Sequence, residues 1–271
     1  MPILSETIYT LKTIEDFSGR KSLLHQMNPL AKLLVTIAYI VTVSSYGRYE
    51  ISAIMPMVAY PIFIFAVTAL DVTFFLKRLA CIIPFVLMMG IFNPMFDTRS
   101  LGMEWGFITY GWLAFVSMAI KGTLTVLAAL LLAGTTGITD IASALHRLRV
   151  PKMFVLQIVL TYRYLALLMQ EISRMMMAYS LRAVKSGRKT GVHYSAWGSL
   201  AGGLLIRTYD RAQRVYDAML LRGFDGEYKF SVCTSQFRFS AMDYLYVFIC
   251  TAFFILSRTM NISKLLGGVF A

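Results

Sequence analysis

Five long runs of apolar residues dominate the chain, at about 30–46 (LAKLLVTIAYIVTVSSY), 51–70, 79–96, 108–133 and 241–257. Each approaches or exceeds the ~18–20 residues that cross a hydrocarbon core. A water-soluble fold could not readily hide so much continuous apolar surface. The runs must be helical, because an unpaired backbone amide in lipid costs several kcal/mol. Short connectors containing Arg48, Asp71, Lys77-Arg78 and Asp97–Glu104 separate the first four. Pro56, Pro61, Pro84 and Pro94 lie inside spans. They predict kinks or breaks packed against neighbours, an ordinary bundle irregularity rather than a substrate gate.

Between the fourth and fifth spans the pattern changes. Over 153–183, Ile158, Leu165, Leu168, Ile172, Met175, Met176 and Tyr179 recur at spacings of three, four and seven, while Arg163, Gln170 and Arg174 share another face. The spacing predicts an amphipathic helix of 31 residues, about 46 Å long. Pro151 stands just before it, where a missing amide donor does no harm. The first half is apolar enough to lie at a membrane surface, and the second half points to the cytoplasm.

A second run, about 195–222, sets Arg207, Asp210, Arg211, Arg214 and Asp217 against Leu205, Ala212, Val215, Tyr216 and Met219. Asp210 can pair with Arg214 four positions on, whereas Arg207 and Arg211 repel slightly. Gly223 follows directly and can supply a left-handed helix stop. Residues 185–191 (KSGRKTG) read as a flexible polar turn, so the two helices should cross or run antiparallel beneath the bundle. Both runs finish alike, on Leu181-Arg182-Ala183 and, forty positions later, on Leu221-Arg222-Gly223.

Composition agrees with the pattern: 58% of residues are hydrophobic and 15% charged, against roughly 45–50% and 25% in soluble domains. Mean hydropathy is +0.65. Charge adds an orientation. Residues 134–239 hold fifteen Lys and Arg against six acids, a net +9 within a whole-chain +12. The positive-inside bias then places this region and the N-terminus in the cytoplasm. Arg258 and Lys264, in a tail left outside, mildly oppose that assignment. Anionic lipid accounts for the excess more simply than nucleic acid, since the aromatics and cations do not form stacking platforms. No compact apolar segment precedes a small-residue cleavage site in the first 29 residues, so no signal peptide is expected.

The expected fold is therefore all-α, a polytopic membrane bundle of about five spans with two long cytoplasmic helices. Its parts are a cytoplasmic N-terminal segment (1–29), four spans (30–133), a cytoplasmic helical region (134–240), and a last span with an external tail (241–271).

Catalytic signatures are missing from the chain. There is no GxxxxGK[ST] loop to hold nucleotide. His25, His146 and His193 are far apart and match no metal-ligand spacing, and Cys81, Cys233 and Cys250 form no CxxC pair. Met175, Met176 and Met177 point in different directions on a helix and read as packing. No catalytic residue, metal site or cofactor is expected in this polypeptide. Lys121, near the middle of the fourth span, is costly there. It marks an ion path or, the favoured reading, pairs with a carbonyl or with Asp243. Asp243 itself reads as interfacial, and Trp105, Trp112 and Trp197 as headgroup-level anchors.

Three blocks carry a resemblance: His25-Gln-Met-Asn28-Pro29-Leu-Ala-Lys32-Leu-Leu, Thr161-Tyr162-Arg163-Tyr164, and Arg211-Ala-Gln-Arg214-Val-Tyr216-Asp-Ala-Met219-Leu-Leu-Arg222-Gly223-Phe224-Asp225-Gly226. Together they resemble the transmembrane T component of energy-coupling-factor (ECF) transporters, in its cobalt-type CbiQ branch. The likeness runs from about residue 15 to 257. It implies that the two long helices are coupling helices, each ending in an Ala-Arg-Gly-like triplet whose arginine engages one of two cytoplasmic ABC-type ATPases. Carried over, the triplets are Leu181-Arg182-Ala183 and Leu221-Arg222-Gly223, with Arg163, Arg211, Arg214 and Asp225 in support. The first triplet has Leu and Ala where the family has Ala and Gly.

The implied partners are the two ATPases, which would bind ATP and Mg, a substrate-binding membrane S component (metal-binding, CbiM-like), and the lipid bilayer. The implied location is the cell membrane. Guanidinium offers a permanent planar fork of donors and is favoured at a helix C-terminus, which on its own fits a merely solvated arginine; it is the resemblance that favours docking. Two other classes stay open: a self-sufficient secondary cation transporter or channel, and a membrane scaffold for a cytoplasmic partner.

Overall fold

A computed structural model of the chain describes residues 27–68, 71–92, 110–182, 194–225 and 239–259. His25, Pro94, Trp105, Ala183, the 185–191 turn, His193 and Cys233 fall outside the described residues. All regular structure among the described residues is helical: α1 Pro29–Ser45, α2 Ile51–Ile54, a 3-10 turn Met55–Val58, α3 Ala59–Thr68, α4 Val72–Gly90, α5 Tyr110–Thr135, α6 Ile138–Arg147, α7 Lys152–Arg182, α8 Tyr194–Leu221 and α9 Ala241–Thr259. By length and composition, Ile51–Thr68, Tyr110–Thr135, Lys152–Arg182 and Ala241–Thr259 are each long and apolar enough to cross a membrane, and Pro29–Ser45 is a shorter apolar helix. The chain is a multi-pass helical membrane protein.

The start of α1 follows from its sequence. The side chain of Asn28 accepts from the Leu30 amide at 3.0 Å and Pro29 takes the first helical position, where its missing N–H costs nothing. Pro56 interrupts the second span with the 3-10 turn, and the Tyr39 hydroxyl donates to the Met57 carbonyl at 3.0 Å, so a neighbouring helix satisfies the broken stretch. Pro84 stays within an unbroken α4.

One boundary differs from the sequence reading: Lys77 and Arg78 lie inside α4 rather than in a connector. Their long stems make this possible. The Arg78 guanidinium sits 4.4 Å from the Phe74 ring centroid, one turn back, keeping its charge beside an aromatic face.

The described residues fall into two compact units, one of residues 27–144 and 239–259, the other of residues 145–225. In the first, Tyr39, Tyr60 and Phe254 form the aromatic centre, with Tyr39 and Tyr60 stacked at 4.5 Å. Val35, Leu124 and Leu131 pack around them. The α4–α5 contact is close because small residues line it: a Cβ on Gly122 would lie 2.5 Å from Val86, and one on Gly134 2.5 Å from Phe75.

Two polar layers tie this unit together. At one end stand Lys32, Thr135 and Asp243; at the other, Tyr46, Lys121 and Ser257. Along α1, α5 and α9 these layers are fourteen residues apart, about 21 Å of helix.

In the second unit, α7 and α8 meet over a short stretch. Arg207 donates to Glu171 at 2.6 Å, and a Cβ on Gly203 would lie 3.4 Å from Met175. Pairing 171 with 207 and 175 with 203 means that the helices run in opposite senses through the contact.

Candidate docking tips on the long helices

Each long helix carries its candidate residues at its C-terminal end. Arg182 is the last residue of α7 and Leu181 beside it is 81% exposed. Leu221 is the last residue of α8 and is 90% exposed, with Arg222 and Gly223 forming the turn that follows. Nothing in the described chain covers leucines this open.

The α8 tip is well defined locally. Gly223 has φ +79°, its amide donates to the Leu220 carbonyl at 2.9 Å, and the Phe224 amide donates to Met219 at 3.0 Å. These two bonds form a Schellman stop, as the glycine predicts. The stop fixes the direction in which Arg222 leaves the helix. From the α7–α8 contact, 11 residues of α7 lead to Arg182 and 15 of α8 lead to Arg222, about 16 and 22 Å of helix. Because the helices pass in opposite senses, the two tips project from opposite sides of the contact.

The supporting residues divide. Arg163 is exposed midway along α7, and Asp225 is exposed just beyond the α8 stop. Arg211 and Arg214 line a cleft of about 310 Å³ with Leu168, Glu171, Arg207 and Asp210. On α7 the expected faces hold: Ile158, Leu165, Leu168, Ile172, Met175, Met176 and Tyr179 are partly covered, and Arg163, Gln170 and Arg174 are exposed. On α8 they do not. Leu205, Ala212 and Tyr216, expected on the covered face, are exposed, and the covered stripe is Leu204, Thr208, Arg211, Val215 and Met219. Thr208 and Arg211 face α7, lining the cleft beside the cross-helix Glu171–Arg207 pair.

Three further charged residues have defined partners. Lys121 donates to the carbonyls of Tyr46 (2.7 Å) and Gly47 (3.0 Å), the carbonyl rather than the Asp243 alternative. Asp243 corrects the interfacial reading: it is 3% exposed and accepts from the Asn28 amide at 3.0 Å and the Ser240 amide at 2.9 Å. Asp140, in the first turn of α6, has its carboxyl pushed above the ordinary 3.8 by burial, with Lys32 pulling it back. Trp112 and Trp197 are half exposed. No group of three His, Cys, Asp or Glu among the described residues is placed to hold a metal ion.

A family profile described as cobalt transport protein, CbiQ, matches residues 20–232. The chain belongs to that family. All three motif blocks lie inside the match, so the likeness read from them holds at the level of the CbiQ family. The chain is also similar, at 25% identity over 256 residues (89% of this chain, 94% of the relative), to the energy-coupling factor transporter transmembrane protein EcfT of Ruminiclostridium cellulolyticum.

It is 33% identical over 94 residues (35% of this chain, 33% of the relative) to the nickel permease LarQ of Lactiplantibacillus plantarum. It is 34% identical over 126 residues (45% of this chain, 42% of the relative) to an uncharacterised protein of Methanocaldococcus jannaschii. The chain thus aligns with less than half the length of these last two relatives.

Sequence reasoning placed Leu181 and Leu221 in the tips without showing how open they are, and it missed the buried pairing of Lys32. Lys32 stood in a quoted motif, but nothing in the spacing points to residues more than a hundred positions away.

Proposed function

We propose that this chain is the transmembrane energy-coupling subunit of an ATP-driven importer for cobalt or nickel ions, set in the cell membrane with its N-terminus and long helices in the cytoplasm. The observation that carries the reading is the pair of exposed Leu-Arg tips projecting from one shared contact. Each tip offers an exposed planar cation, and arginine is enriched at strongly binding interface centres. The occupants are two ABC-type ATPases, which supply bound ATP and Mg.

Closure of the ATPases would move the tips relative to one another and shift the bundle against a separate metal-binding S component. The chain itself would transmit work and catalyse nothing. Hydrogen-bonding of Lys121 to two carbonyls favours this over a self-sufficient cation transporter, because it gives that intramembrane charge a structural task. The EcfT likeness across most of both chains supports energy coupling, and the cobalt family and nickel permease likenesses support the substrate.

Proteoliposomes test the reading. Cobalt or nickel uptake should require this chain, both ATPases, the S component and ATP together; uptake by this chain alone would overturn it.

A further inference from the structure

Resting on that reading, we propose that Lys32 is a positioning residue for energy coupling, anchoring the start of α6 to the membrane bundle. Lys32 is 4% exposed, and an ammonium so buried is costly unless it is paired. Its Nζ donates at 3.1 Å to the carbonyl of Thr135, the last residue of α5, one of the end carbonyls that a helix leaves unsatisfied. Two carboxyl groups act on it electrostatically: Asp140 in the first turn of α6 and Asp243 in the first turn of α9. Asp243 is held in turn by the amides of Asn28 and Ser240, and Asn28 caps α1.

One cation therefore stands where the start of α1, the end of α5, the start of α6 and the start of α9 meet. Only Thr136 and Gly137 separate α5 from α6. The chain of α6 runs on through the turn at Arg149 into α7, whose far end carries Arg182. A displacement imposed at Arg182 and passed back along this segment arrives at the joint that Lys32 holds. Were the joint slack, α6 would absorb the motion and the bundle would not follow.

Hydrogen exchange on the full chain in nanodiscs tests the anchoring without any partner. In Lys32→Met, amides of residues 138–147 should exchange at least about tenfold faster, those of 72–90 should be unchanged, and Lys32→Arg should restore most of the protection. Unchanged exchange in 138–147, or a uniform rise throughout the chain, overturns the proposal.

If Lys32→Met does not accumulate, Asp140→Asn keeps the Thr135 bond and removes one countercharge; it should loosen 138–147 selectively, and no loosening overturns the proposal. In the assembled complex, Lys32→Met should retain the ATPases and ATP hydrolysis while uptake per ATP falls at least about tenfold. Undiminished uptake per ATP removes the transmission role. A wild-type complex with no ATP-driven uptake would sink the proposed function instead, and the exchange comparison would still decide the anchor.

Discussion

Lys121 illustrates how the partners of a single side chain decide between transport and architecture. From sequence, a cation in a span permits both readings. In the structure it bonds to the carbonyls of Tyr46 and Gly47, just past the end of α1, while Arg258 bonds to the Ser45 carbonyl beside them. Two cations thus satisfy the end of one helix, where negative carbonyl ends accumulate. Lys121→Met should lower stability by about 1–2 kcal/mol in detergent unfolding and leave uptake per assembled complex unchanged. Loss of uptake at undiminished stability would instead indicate an ion path.

Asp243 was less legible. A carboxylate in the first turn of a span looks like an ordinary interfacial acid, and its Asn28 partner lies 215 positions away. Local sequence cannot show such a partner, and burial decides it.

Among the helices, period was the readable quantity. The predicted 153–183 and 195–222 stand one residue from the observed Lys152–Arg182 and Tyr194–Leu221. Which stripe turns inward was readable only where the apolar face has no charged competitor. On α8 the side that meets α7 carries the Glu171–Arg207 pair with Thr208 and Arg211, and Leu205, Ala212 and Tyr216 face outward.

The stops differ in the same way. Gly223 announces its left-handed turn, whereas Arg149 adopts φ 63° with no glycine to mark it. Arg149 still closes α6 with a Schellman pair, its amide donating to His146 and that of Val150 to Leu145. Arg149→Gly should therefore stabilise the protein by about 0.5–1 kcal/mol, and Gly223→Ala should destabilise it by about 1 kcal/mol. Thermal unfolding of the two variants checks both signs. If both shift stability the same way, backbone strain is not what governs these turns.

For the molecule as a whole, the membrane class was plain from the length of its apolar runs, and the family from three blocks of sequence. What the fold alone could not assign is function, because a helical bundle hosts many activities. The proposed assignment rests on the tips: two arginines, each beside a leucine open to solvent, at the ends of helices that share one contact.

The most direct measurement is co-purification of the ATPases with Arg182→Glu, Arg222→Glu and the double variant. On the proposed docking, an arginine desolvated in a groove would contribute ~2 kcal/mol or more, so each single change should weaken recruitment about thirtyfold. The double variant should lose the ATPases altogether while its own thermal unfolding stays at the wild-type temperature. A double variant that still holds both ATPases and imports metal at the wild-type rate would contradict the account.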